Sequence, residues 1–179
     1  MAERTTLPRI VALPATPVVP VLTATVRGMI EGTFIRAAQR AYTELMNAVA
    51  PTGHLHEVRT RLALVPEPPH GPNDPLCRYI AGLVFGHAVA SGEGQPLQPE
   101  IALGGSLAWT TLAPGRYAVF THVGPYDGLK AAWEAAYTQG LRHAGLVVRR
   151  DAPPFELSLN TPEQAAPAEL HTEIWIPVV

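Results

Sequence analysis

Residues 117–145 read YAVFTHVGPYDGLKAAWEAAYTQGLRHAG, and this stretch decides the fold class. From Tyr117 to Val123 β-branched and aromatic residues dominate, which is the composition of a strand. Beyond Gly124-Pro125 the period changes. Leu129, Ala132, Trp133, Ala136, Tyr137, Leu141 and Ala144 recur at spacings of three and four, which predicts a helix with one apolar stripe. Asp127 is placed to cap its first turn, and Gly145 stops it. A strand feeding a helix across a Gly-Pro turn is the start of an α+β unit.

Working outward, strands are predicted at residues 108–112, 155–160 and 171–176, which completes a strand-helix-strand-strand order in the second half. The first half repeats it. Strands are predicted at 18–23, 58–64 and 77–84. A helix runs from Thr33 through Phe34, Ala38, Ala41, Tyr42, Leu45 and Val49 until Pro51 and Gly53 end it. Pro20 inside the first strand predicts an edge position or a bulge. Residues 66–75, 91–105 and 161–167 read as loops. Leu13-Pro14 and the strand after it align with Leu112-Ala113 and the strand that follows; residues 37–42 align with 132–137. We therefore expect one α+β domain of duplicated modules related by a pseudo-twofold, with a first module at 8–90, a linker loop at 91–106 and a second module at 107–179. The expected architecture is a joined antiparallel sheet with both long helices on one side. A ligand cleft is expected on the other side, since module boundaries are where ligands tend to bind.

The bulk properties narrow the function classes. With 47% hydrophobic and 16% charged residues, the 179-residue chain has the composition of a globular protein rather than a disordered one. A net charge of −2 and a pI near 6.4 leave no basic footprint for nucleic acid or anionic membrane. Cys77 is the single cysteine, which fits a reducing, cytoplasmic setting. The apolar stretch 10–22 is interrupted by Pro14, Pro17 and Pro20 and is too short to span a bilayer. His54 and His56 lack a third ligand at metal spacing, and no phosphate or dinucleotide loop is present, so no metal and no cofactor is expected.

Three blocks carry a family resemblance. Pro114-Gly115-Arg116-Tyr117-Ala118-Val119-Phe120 continues into Thr121-His122-Val123-Gly124-Pro125-Tyr126-Asp127-Gly128-Leu129. Pro154-Phe155-Glu156-Leu157-Ser158-Leu159-Asn160-Thr161-Pro162 follows, and then Thr172-Glu173-Ile174-Trp175-Ile176-Pro177-Val178. In order and spacing these resemble the second half of GyrI-like small-molecule-binding domains, over about residues 107–179. The resemblance implies two strand-helix-strand-strand modules and a site for hydrophobic, often cationic, small molecules. Relatives are fused to AraC-type or MerR-type DNA-binding helices or stand alone. Few residues precede the first module here, so a stand-alone form without direct DNA binding is expected. Some relatives hydrolyse reactive cyclopropane-containing compounds and others protect DNA gyrase, so the resemblance leaves three roles open. One is a sensor or sequestering protein, another a hydrolase, the third a gyrase-interacting protein. A regulator partner and a homodimer are compatible with each.

Glu156 is the central candidate. Glu156, Ser158 and Asn160 alternate with Phe155, Leu157 and Leu159, so the polar set shares one strand face. In the closing strand His171, Glu173 and Trp175 alternate with Thr172, Ile174 and Ile176. If both apolar sets face the helices, Glu156 lies beside Trp175 on the cleft side. A carboxylate among rings attracts an organic cation, and burial would raise its pKa toward general-base use; a solvated surface Glu is the plain alternative. Trp175 reads as packing or as a platform for a flat ligand, and Tyr117 as a cleft phenol or a core residue. For a hydrolase, Tyr117 or His122 would supply the second polar group beside Glu156, but strand parity excludes both serving together. Trp133 reads as core or as a ligand contact between helix and sheet. Tyr79 would cover the pocket on symmetry grounds. Ser158 stands where relatives commonly carry an aromatic, which enlarges the site.

Overall fold

The computed structural model describes residues 7–179. In chain order the strands are β1 (Arg9–Leu13), β2 (Pro20–Arg27), β3 (Val58–Leu64), β4 (Arg78–Ala88), β5 (Glu93–Leu97), β6 (Ala108–Thr111), β7 (Gly115–Val123), β8 (Phe155–Ser158) and β9 (His171–Val178). Helix α1 covers Ile35–Val49. A second helical passage comprises α2 (Leu129–Ala135), a π turn at Ala136–Gly140 and α3 (Leu141–His143). The class is α+β, with antiparallel pairing throughout the registered strands. Among the described residues no helix is long and apolar enough to cross a membrane.

The chain forms two compact units, one of residues 16–113 and one of residues 7–15 with 114–179. In the first, strand order is β3-β4-β2-β6, with β5 added to the far end of β4. In the second it is β8-β9-β7-β1. The duplicated order is thus visible in the pairing: β4 lies between β3 and β2 as β9 lies between β8 and β7. The strand that leads into each repeat is lent to the other unit, β1 pairing with β7 and β6 with β2.

Helix α1 forms where the three-four spacing predicts. Ala37, Ala41, Leu45 and Val49 are its buried stripe, packed with Leu22 and Ala24 of β2 and with Ala81, Leu83 and Phe85 of β4. The Thr33 hydroxyl accepts the Ile35 N–H at 3.2 Å, and Gly53 turns the chain away at φ +80°. Glu44 on the outer side accepts the backbone N–H and the hydroxyl of Ser106 at 2.7 and 2.6 Å. That pins the loop before β6 onto the helix.

Four expectations are corrected. Strand β2 is flanked by β4 and β6, so Pro20 marks its first residue rather than an edge; there its missing N–H costs least. The segment 91–105, read as loop, contains β5. It pairs with β4 across an irregularity at Phe85/His87, where a Cβ on Gly86 (φ +72°) would stand 2.3 Å from the Gln95 carbonyl oxygen. The apolar start of the chain supplies β1, whose sequence signal is masked because the prolines beyond it break the run. Asp127 does not cap a helix: it lies inside the 3₁₀ turn Tyr126–Gly128, and Gly128 occupies the cap position of α2 without a side-chain bond.

The packing predicts its own sensitivity. Leu45→Ala removes a fully buried side chain and should cost about 2–5 kcal/mol in chemical denaturation. Asn47→Ala, two residues on and exposed, should stay within about 0.5 kcal/mol of the parent.

Candidate functional site

Register with β9 defines the two faces of the second unit, because directly opposed residues in an antiparallel pair point the same way. On one face Phe120, Ile174 and Glu156 make a row, and His122, Thr172 and Ser158 make the next. On the other face the rows are Val119, Trp175 and Phe155, then Thr121, Glu173 and Leu157. The second helical passage covers the first face: Ala136 and Leu141 pack with Ala118, Ile174, Ile176 and Val178, and Ala132 and Trp133 pack against that cluster.

Glu156 therefore faces the helix and lies on the side opposite to Trp175. The expectation that the two are neighbours fails, for a definite reason. Thr172 to Val178 of β9 are all buried, so both faces of this strand are covered and alternation does not distinguish inside from outside. The apolar set Phe155 and Leu157 joins Trp175, while the polar set turns under the helix.

The carboxylate has one close partner there. Trp133 Nε1 donates to Glu156 Oε1 at 2.5 Å, and the Trp133 ring stacks on Tyr137 with centroids 6.1 Å apart and planes at 17°. Burial raises the Glu156 pKa above the ordinary carboxylate value, while the Trp133 hydrogen bond and the nearby His122 imidazole pull it back. The residue still keeps part of its surface open. Glu156 is thus a partly open carboxyl beneath the helical passage, with the His122 imidazole on the same sheet face.

The helix above Glu156 is irregular. At the π turn one extra residue is accommodated, so Ala136, Gly140 and Leu141 face the sheet while Tyr137 is turned outward and 42% exposed. Tyr137 thus leaves the buried stripe to which its spacing assigned it. A Cβ on Gly140 would stand 2.3 Å from Phe120 Cε1, so glycine is what lets the helix seat on β7. His122 is held beneath the 3₁₀ turn, its Nε2 3.0 Å from the Pro125 carbonyl oxygen.

The remaining candidates separate by face and by unit. Trp175 is fully buried between Phe155 (5.2 Å, 19°) and Tyr117 (5.7 Å), with its Nε1 donating to Glu173 Oε2 at 2.9 Å. Glu173 is itself buried and accepts from Arg9 Nη2 at 2.7 Å. This second carboxylate–indole contact was legible in the sequence only as one acidic residue among apolar ones. Tyr117 belongs to that cluster, on the face away from Glu156, and burial pushes its phenol pKa up against the pull of Arg149. Ser158 shares the Glu156 face, directly opposite Thr172. Tyr79 packs on Phe34 in the core of the other unit, centroids 5.5 Å apart. Cys77 is buried with its thiol pKa pushed up by burial, the reverse of an activated nucleophile. His54 pairs with Glu57 at 2.7 Å, and among the described residues no cluster of three His, Cys, Asp or Glu side chains could hold a metal.

Comparison with known proteins adds the following. The family described as GyrI-like small molecule binding domain matches residues 8–179. No curated protein matches the chain. Among solved structures, the C-terminal domain of EcmrR superposes with a TM-score of 0.64 at 16% identity, over 97% of this chain and 99% of that one. A structure described as a hydrolase from Listeria innocua gives 0.56 at 15% identity, over 97% and 92%. SAV2435 bound to tetraphenylphosphonium gives 0.50 at 15% identity, over 97% and 94%. At these identities the likeness is one of fold.

The raised pKa of Glu156 sets a pH dependence for the empty protein. Below the unfolded carboxyl's pKa the group is neutral in both states and carries no penalty. As pH rises through the folded pKa, the native state must ionise a crowded carboxyl that the unfolded chain has already ionised, and stability falls. Glu156→Gln keeps the shape and the acceptor for Trp133 and stays neutral. Its melting temperature should therefore gain on the parent's as pH rises above the ordinary carboxylate range, where the parent's folded state must ionise Glu156 and the variant's does not. A difference that does not change with pH would mean the carboxylate is solvated.

Proposed function

Because the chain belongs to the GyrI-like small-molecule-binding domain family, we propose that it is a cytoplasmic binding protein for hydrophobic organic cations, acting as a sensor or a sequestering module. The observation that carries the reading is the Glu156 carboxylate, crowded by protein beneath a helix and bonded to the indole of Trp133. An ionised carboxylate is costly there without a counter-charge. An organic cation offsets that cost, while the Trp133 and Tyr137 rings offer their faces to it. The tetraphenylphosphonium held by SAV2435, a protein of the same fold, supports this choice of ligand class.

In this reading the ligand enters between the helical passage and the sheet. The Trp133–Glu156 bond acts as a latch, since the indole holds the carboxylate in place of a ligand donor. The outward Tyr137 and the π turn beside it mark where the helix gives way. π turns recur at functional sites because their weakened hydrogen bonding lets a helix change its phase.

A second reading follows from the same carboxyl. A Glu with a raised pKa is suited to take a proton from water, so Glu156 would serve as general base against an electrophilic small molecule. Within that reading His122, on the Glu156 face, is the available polar partner; Tyr117 is on the other face and is not. The hydrolase from Listeria innocua shares the fold and supports keeping this reading beside the first.

Titration calorimetry with tetraphenylphosphonium and with an arylalkylammonium ion separates the two. For a binder, affinity for the cation should rise with pH through the Glu156 titration, with a proton released on binding at the acid end. Glu156→Gln should weaken an ammonium ligand that donates to the carboxylate by roughly 1.5–3 kcal/mol and flatten the pH dependence. For a hydrolase, the same substitution should abolish turnover of an electrophilic cyclopropane while leaving its binding largely intact. Unchanged affinity and no turnover in either protein would remove Glu156 from the site.

A further inference from the structure

One polar group on the Glu156 face has no explanation in that site. Thr172 is 2% exposed, and among the described residues its hydroxyl has no hydrogen-bond partner. A buried hydroxyl without a partner is destabilising, and native proteins retain one where a water or a ligand group completes it. Its neighbours are themselves suited to a ligand. Ser158 is directly opposite on β8, half-buried, and His122 is directly opposite on β7. Ser158 and Glu156 are two residues apart on one strand face, so the hydroxyl pair stands about 6–7 Å along the sheet from the carboxylate.

We propose that Ser158 and Thr172 form a second, hydrogen-bonding subsite beside Glu156, and that the preferred ligand is a bifunctional organic cation. Its cationic centre sits at Glu156, and a carbonyl, amide or hydroxyl one strand-repeat away is bound by the two hydroxyls. This rests on the reading of Glu156 as the ligand's counter-charge and adds what that reading lacks, a source of selectivity. A hydroxyl both donates and accepts, so the pair adapts to any of these groups. It has nothing to offer a cation clothed only in hydrocarbon, and such a ligand would leave the Thr172 hydroxyl unsatisfied. Ser158, opposite Thr172 and only half-buried, is the more open member of the pair. The ligand class is therefore narrower than hydrophobic cations in general.

The test uses two matched probes, (4-phenylbutyl)trimethylammonium and its 4-oxo ketone, which differ by one carbonyl. Both are titrated calorimetrically into the wild-type protein, Thr172→Val, Ser158→Ala and Glu156→Gln. Thr172→Val is nearly isosteric and removes the unsatisfied hydroxyl, so the ligand-free variant should melt above the parent. The ketone should lose about fivefold in affinity to Thr172→Val and to Ser158→Ala, the worth of one net hydrogen bond, while the hydrocarbon probe is unchanged or slightly tighter. Glu156→Gln should weaken both probes alike. Equal losses for both probes in the Thr172 and Ser158 variants, or none for either, overturn the subsite while the Glu156 reading stands. Equal affinity of both probes for the parent and Glu156→Gln removes the counter-charge, whatever the hydroxyl variants do. Failure of both to bind the wild type removes both readings.

Discussion

Strand β9 is paired on both edges, by β7 and by β8, and from Thr172 to Val178 it is buried on both faces. Such a strand has no slack. Shifting it by one residue would exchange Ile174 and Ile176, which pack under the second helical passage, with Glu173 and Trp175, which belong to the aromatic cluster beneath. Its register therefore sorts the second unit into two chemistries. One face presents Glu156, Thr172, Ser158 and His122 toward the helix. The other buries Trp175, Tyr117 and Phe155 with Glu173 tied to Arg9. Arg9 reaches that cluster because β1 pairs with β7.

The helical passage is fitted to that sheet by two local departures from regularity. Gly140 lets the backbone approach Phe120 to a distance no side chain would allow. The π turn that contains it shifts the phase of the stripe, so that Ala136, Gly140 and Leu141 face inward and Tyr137 does not. Trp133, one turn earlier, is left above Glu156 with its indole nitrogen on the carboxylate. A regular helix over these residues would not divide them so. The Trp133 indole and the Glu156 carboxylate thus meet where helix packs on sheet, a place where ionising a carboxyl is costly.

Some of this was open to reading in one dimension. Val58–Leu64 is a strand with the bounds expected, and α1 buries Ala41, Leu45 and Val49 from the predicted stripe. These segments pack one clear face against one core, so their period carries the information. Strand β5, with its sequence EGQPL, gives no such signal, because it is held by a bulged pairing with β4 rather than by burial. Strand β1 is short, lies before three prolines, and depends on a partner more than a hundred residues away. Local propensity does not encode a partner at that distance.

The sequence by itself determined the α+β class, the repeated strand-helix-strand-strand order and the shared strand face of Glu156 and Ser158. Each follows from composition, period or a motif carried on a few consecutive residues. Which face was which came only from the tertiary structure. The parity of β8 is fixed locally, but the identity of its neighbour, the register of that neighbour and the side taken by the helix are not. So Trp175 lies in the core, Trp133, open between core and ligand contact, lies on the carboxylate, and Thr172 of the apolar set carries an unsatisfied hydroxyl. A period of two says which residues travel together. Only packing on both sides says where they go.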